Sequence, residues 1–211
     1  MNFIRRPFRY RNDNVVFVLI GLNLLVYLPI FFFRNAQVIA YLSMIPMAII
    51  DRGWVWQFIT YMFVHDPRSI SHILFNMFAL FIFGRQVEHY MGSKEFLLYY
   101  FVTGILAGIF SFLVYWLTGY WMTILMGASG AIFAVQLAFA VLFPNSVIYI
   151  WGILPLRAPV MVLGFTALEV IFMVTGLGGN VAHITHLAGF AFGWLYFIVR
   201  FGINPWRAMR R

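Results

Sequence analysis

Long apolar runs broken by short polar stretches set the pattern of this chain. Residues 14–33, 69–84 and 96–156 contain no Asp, Glu, Lys or Arg. A helix needs about 20 apolar residues to cross the hydrocarbon core of a bilayer. The pattern predicts six membrane helices, at about 14–33, 71–88, 96–118, 128–143, 159–175 and 181–201. The fourth is short and stops at Pro144-Asn145-Ser146, a run of helix breakers. Residues 34–69 are interrupted by Pro46 and Gly53 and cannot span. Their aromatic group, Trp54, Trp56, Phe58 and Tyr61, suits a segment lying in the interface. Ile148 to Leu154 is apolar but too short to cross, and Gly176, Gly178 and Gly179 mark the turn before the last helix.

Composition fixes the class. Of 211 residues, 64% are hydrophobic and 9% charged, against about 25% charged in a typical soluble domain. The chain reads as an all-α, multi-pass membrane protein. It divides into a basic arm (1–13), a six-helix domain (14–201) and a basic tail (202–211). The first apolar run is too long for a signal-peptide core and lacks a small-x-small exit, so it reads as a retained helix. With the N-terminus inside, eleven basic residues fall on inner segments. Only Arg34, Arg52 and Arg68 fall on outer ones. That bias puts both termini in the cytoplasm, and the expected location is a bacterial cytoplasmic membrane. The net charge of +8 does not point to nucleic acid, because the basic residues sit at membrane boundaries rather than on one face. There is no cysteine, so there is no disulfide or thiol chemistry.

The polar residues inside the apolar runs carry the chemistry. In this topology the second, fourth and sixth helices all enter from the outer face. Each has polar groups near that end: His72 and Asn76, then Ser129, then His183 and His186. At about 1.5 Å per residue these all lie within roughly 10 Å of the outer boundary. Polar side chains within membrane segments are costly and mark function. Ser129 lies in Gly127-Ala128-Ser129-Gly130 at the start of a helix. Glycines there allow a sharp bend and a close approach, and the free N–H groups of the helix start can receive an oxyanion. The competing reading of Ser129 is a helix cap. Gly130, Ala134 and Ala138 on one helix, and Gly189 and Gly193 on another, have the four-residue spacing that lets membrane helices pack closely. Gly104 and Gly108 form a similar pair. His186 shares a face with Gly189 and Gly193 and can take the proton of Ser129. His72 and Asn76 share a face and can donate to an oxyanion beside the Ser129 amide. With no Asp nearby in sequence and only Glu169 intramembrane, the site reads as a Ser–His dyad. Glu169 reads as a protonated or hydrogen-bonded group in mid-membrane.

These motifs resemble the rhomboid family of intramembrane serine proteases, over nearly the whole chain. They are His72-Ile-Leu-Phe-Asn76, Gly127-Ala-Ser-Gly130, and Ala182-His-Ile-Thr-His-Leu-Ala-Gly189 with Gly193. The resemblance implies Ser129 as nucleophile and His186, three residues before the glycine pair, as general base. It implies His72 and Asn76 in the oxyanion hole, with Gly127, Gly130, Phe133, Gly189 and Gly193 as supporting packing. Phe133 stands where the family often has a tyrosine stacked on the histidine, and Trp56-Gln57 where it often has Trp-Arg. Glu88 resembles a family glutamate that ties helix ends together. The implied partners are transmembrane protein substrates and the lipid bilayer, with no nucleic acid, no cofactor and no metal. The sequence leaves the oligomeric state open. A rhomboid-like pseudoprotease that binds membrane segments without cutting them is the alternative. His65 reads as a loop contact, His89 as an inner-surface group, and His183 as a group supporting the site.

Overall fold

The computed structural model describes residues 5–6, 8–150, 152–176 and 183–211. Gly178 and Gly179 of the expected turn, and Val181 and Ala182 at the expected start of the last helix, lie outside the described residues, as do residues 1–4 of the basic arm. Among the described residues, five helices are long and apolar enough to cross a membrane. They are α1 (Val15–Phe33), α5 (Ile70–Met91), α6 (Ser93–Leu117), α8 (Ala158–Thr175) and α9 (His183–Phe201). A sixth apolar helix, α7 (Ser129–Leu142), is shorter, with 14 residues. The connection after α1 holds short helices α2 (Ala36–Leu42), α3 (Pro46–Arg52) and α4 (Gln57–Thr60), and the tail adds α10 (Pro205–Met209).

The shortest apolar helix sits at the centre. In α7, every residue from Gly130 to Val141 except Phe133 is buried. By contrast α1 and α8 leave Leu25, Phe32 and Val174 exposed. Large apolar side chains facing outward all around a bundle are what lipid contact requires. The packing of α7 and α9 is set by glycine. A Cβ on Gly189 would fall 1.9 Å from the Gly130 carbonyl oxygen. One on Gly193 would fall 2.6 Å from the Tyr99 hydroxyl and 3.1 Å from Ala134 Cβ. Tyr99 donates across the same contact to the Ala134 carbonyl at 2.6 Å. Small residues at this spacing thus bring the two backbones together.

A Cβ on Gly104 would meet Ala131 of α7 at 3.2 Å, as the helix-packing spacing implies, but α7 does not make the tightest contact with either Gly104 or Gly108. The connection does: a Cβ on Gly104 would meet Met62 at 2.3 Å, and one on Gly108 would meet Tyr61 at 2.7 Å. Tyr61 donates its hydroxyl to the Gly104 carbonyl at 2.6 Å, and its own carbonyl accepts the N–H of Gly127 at 2.9 Å. The connection is therefore a wedge between α6 and the serine turn. Gln57, buried at 0% exposure, holds it in place. Its Oε1 accepts from Ile45 N–H at 3.0 Å, and its Nε2 donates to the carbonyls of Ala40 and Tyr41. Outside the wedge, Trp54 and Trp56 pack against Tyr41 with ring centroids 5.0 and 4.9 Å away.

Two carboxylates tie the opposite end of the bundle. Glu88 accepts the backbone N–H of Val15 and Val16 at 2.8 and 3.0 Å and the Ser93 hydroxyl at 2.5 Å. The open N-terminus of α1 is thereby satisfied from another helix. Glu95 accepts from Tyr196 at 2.5 Å and from Arg200 at 2.8 and 2.7 Å. That network, which nothing in the spacing announced, joins α6 to α9. The segments flanking Gly152, in the apolar run that is too short to cross, take a form that the sequence left open. They form an antiparallel hairpin of β1 (Val147–Ile150) and β2 (Leu154–Arg157), turning through Gly152 at φ +72°. A segment too short for a membrane helix satisfies its backbone by pairing with itself.

Gly189→Ala tests the central contact. One methyl cannot fit 1.9 Å from a carbonyl oxygen, so α9 must shift. The expected cost is about 1–3 kcal/mol, read as an earlier unfolding transition in detergent. A variant as stable as the parent contradicts the close approach.

Candidate active site

The serine turn is built by the wedge beneath it and by a glycine that only glycine can replace. Gly127 has φ +121°, a conformation that side chains rarely tolerate. A Cβ there would lie 2.8 Å from His72 Nε2 and 3.7 Å from Ser129 Oγ. Its absence lets an imidazole from α5 and the hydroxyl from α7 converge on one spot. Ser129 is the first residue of α7, and no side-chain capping bond is made there. Its hydroxyl instead faces His186 Nε2 at 2.7 Å. The capping alternative is thus not the arrangement found.

Three contacts fix His186. Its ring lies on Phe133 with centroids 4.6 Å apart and planes within 7°. Its backbone rides on α9, which Gly189 holds against Gly130. Its Nδ1 lies 3.0 Å from Glu169 Oε1. His183, one turn earlier, places Nδ1 2.5 Å from Glu169 Oε2. The carboxylate of α8 therefore spans both histidines. An acid supplied by a separate helix thus stands beside the Ser129–His186 pair. The signal was the lone carboxylate of an otherwise apolar segment.

His72 is oriented from outside the helix. The backbone N–H of Asp66 approaches its Nδ1 at 3.4 Å, which leaves the proton of the neutral ring on Nε2, the nitrogen facing the serine turn. Asp66 is held in turn by Arg68, whose hydrogen bonds keep the carboxyl below its usual range. His65 packs edge-on against His72 with centroids 5.1 Å apart. Burial, and then the nearby His72, lowers its pKa to about 3. It is therefore a neutral ring that adds no charge beside the site. Asn76 lies one turn along α5. It donates to the His72 carbonyl at 2.6 Å, and its amide has a second N–H to offer. The sequence missed the orienting role of the Asp66 backbone because it depends on loop shape. His89 sits away from this cluster, with Nδ1 3.1 Å from the Asn12 amide nitrogen.

A bundle of apolar helices, with polar groups meeting beside a helix start, defines an integral, multi-pass membrane protein. The Rhomboid domain family matches residues 52–203, and this chain belongs to the rhomboid family. It is 30% identical over 148 residues to "Putative rhomboid protease YdcA" of Bacillus subtilis (strain 168), covering 69% of this chain and 67% of that protein. It is also 30% identical over 200 residues to "Rhomboid-like protein 11, chloroplastic" of Arabidopsis thaliana, covering 88% of this chain and 64% of that one. Chain and relative thus overlap over about two thirds of each relative's length.

Phe133→Leu tests the stacking. It keeps apolar bulk but removes the ring face, which is worth about 0.5–1.5 kcal/mol beyond buried area. The reactivity of Ser129 toward a fluorophosphonate is expected to fall about two- to tenfold with folding intact. An unchanged rate would reduce the stack to packing.

Proposed function

We propose that this chain is an intramembrane serine endopeptidase. It hydrolyses peptide bonds in or near the transmembrane segments of membrane-protein substrates, close to the outer leaflet. The observation that carries the reading is the 2.7 Å approach of Ser129 Oγ to His186 Nε2, within reach of proton transfer. Family membership supports it. In this reading residues 14–201 are the protease domain and cross the bilayer six times, with α7 as the short fourth crossing. The arms 1–13 and 202–211 are cytoplasmic, in line with the eleven-to-three distribution of basic residues.

The chemistry follows from the geometry. His186 Nε2 takes the Ser129 proton as Oγ bonds to the scissile carbonyl carbon. The carbonyl oxygen gains negative charge beside His72 Nε2, the Asn76 amide and the N–H groups that open α7, which stabilise it. The imidazolium then gives its proton to the departing amine nitrogen, and the C–N bond breaks. Water, losing a proton to His186, hydrolyses the acyl-serine and restores both groups. Because α7 begins at the serine, water from the outer face needs to descend only to the end of a helix. A helical substrate must unwind locally, since its carbonyls are held in its own hydrogen bonds. Small or helix-breaking residues at the cut satisfy that need.

The test is cleavage of a single-pass substrate in proteoliposomes. Wild type is expected to cut it, while Ser129→Ala and His186→Ala do not. His183→Ala should keep measurable activity, since His183 does not face the serine. Binding without cleavage by wild type would select the pseudoprotease alternative. Active His186→Ala beside inactive His183→Ala would reassign the base. Asn76→Ala should lower kcat by up to about 100- to 1000-fold with little change in KM, as expected for a bond formed in the transition state. A rise in KM alone would make Asn76 a binding residue.

A further inference from the structure

A general base needs the correct tautomer. For His186 Nε2 to accept the Ser129 proton, the ring proton must sit on Nδ1, and something must receive it there. Among the described residues, the acceptor beside Nδ1 is Glu169 Oε1, at 3.0 Å. The Glu169 side chain is 14% exposed and those of His183 and His186 are 10% and 11% exposed, so water competes little for the contact. The carboxylate is itself anchored. Its second oxygen meets His183 Nδ1 at 2.5 Å, and Phe172, one turn along α8, packs on His183 with ring centroids 5.9 Å apart. The two contacts are unequal. The His183 contact is a hydrogen bond, whereas at His186 the distance is right but Nδ1 makes no hydrogen bond. Catalytic hydrogen bonds of this kind often tighten only when substrate is bound.

We propose that Glu169 is a positioning residue for His186. It holds the imidazole with its proton on Nδ1 and its lone pair toward Ser129, and His183 serves as the anchor that aims the carboxylate. The proposal rests on the protease reading and enlarges its dyad to Ser129–His186–Glu169. In the reaction the Ser129 proton moves to His186 Nε2 and the Nδ1 proton stays where it is. The ionised carboxylate then faces the imidazolium and stabilises it, without taking a proton. The same three side chains could ligate a metal, each offering one atom within 4.8 Å of the others. The contact distances favour a proton. Two donors on a zinc-sized ion at about 2.0–2.2 Å each stand roughly 3 Å or more apart, whereas Glu169 Oε2 and His183 Nδ1 are 2.5 Å apart.

The experiment has two arms, both on the full chain in detergent. The first needs no substitution in the cluster's acid. Nitrogen-15 histidine spectra of wild type, with His186 assigned from the spectrum of His186→Gln, report the tautomer. A protonated Nδ1 with a pyridine-like Nε2 supports the proposal, and a protonated Nε2 overturns it. The second arm compares Glu169→Gln and Glu169→Asp on one transmembrane substrate. Glu169→Gln should lower kcat at least tenfold with KM within about twofold. The drop should be smaller than the roughly 10,000-fold lost when a triad acid is replaced by its amide, because the contact is looser. Glu169→Asp, which keeps the charge, should recover part of the loss. Wild-type kcat in Glu169→Gln overturns the proposal, as does a change confined to KM. Equal losses in both variants together with a lowered unfolding temperature also overturn it, since they mark a structural role only. Loss of wild-type activity on chelation, restored by zinc, would put a metal where the proton is placed and overturn it too. A wild type with the expected tautomer that neither cleaves nor reacts with a fluorophosphonate sinks the protease reading instead.

Discussion

The close approach of Gly189 to the Gly130 carbonyl is the constraint on which the rest depends. No side chain fits between α7 and α9 at that point: an added methyl would sit 1.9 Å from the oxygen. In lipid, helices gain little from hiding apolar surface from one another, so their association rests on dispersion contacts and hydrogen bonds made at short range. Glycine is what makes the short range available. Once the backbones touch there, the Ser129 hydroxyl and His186 Nε2 are brought to 2.7 Å. A base on a neighbouring helix can hold that separation only if the helices are fixed to a fraction of an ångström, and a shift of about 1 Å can cost on the order of a hundredfold in rate.

Other features hold this contact in register. Tyr61 and Met62 fill the space over Gly104 and Gly108 and grip the serine turn through Gly127 N–H. Tyr99 locks α6 to α7 by donating to Ala134. Glu95 pairs α6 with α9 at the far end through Arg200 and Tyr196, so α9 is pinned at both ends. Each polar group in these contacts is partnered, and all but the half-buried Arg200 are buried. In lipid this matters more than the strength of any one bond, because an unsatisfied group has no water to turn to.

The sequence made much of this legible, for physical reasons. Membrane helices are written in composition, and among the described residues the ends of the five long apolar helices lie within a few residues of the expected ones. Polar residues within apolar runs stand out because each is costly, so His72, Asn76, Ser129, His183 and His186 could be read as one depth. Glycine spacing marked the α7–α9 contact. What stayed hidden depends on rotation and loop shape. Gly104 and Gly108 have the spacing of a helix contact, yet besides Ala131 of α7 they take Met62 and Tyr61 of the connection, since spacing shows that room exists but not what fills it. Glu169 precedes His186 by 17 positions, and whether it faces the site depends on how α8 is rotated by its neighbours. Gln57 carries no charge to betray its three backbone contacts. The hairpin of residues 147–157 was read only by its length, because a short apolar run does not declare its conformation.

The most direct measurement is the structure of the fluorophosphonate adduct. The account predicts phosphorus bonded to Ser129 Oγ, with the phosphoryl oxygen within hydrogen-bond reach of His72 Nε2 and the Asn76 amide, and His186 still stacked on Phe133. An adduct on any other residue, or a phosphoryl oxygen turned away from His72 and Asn76, would contradict it.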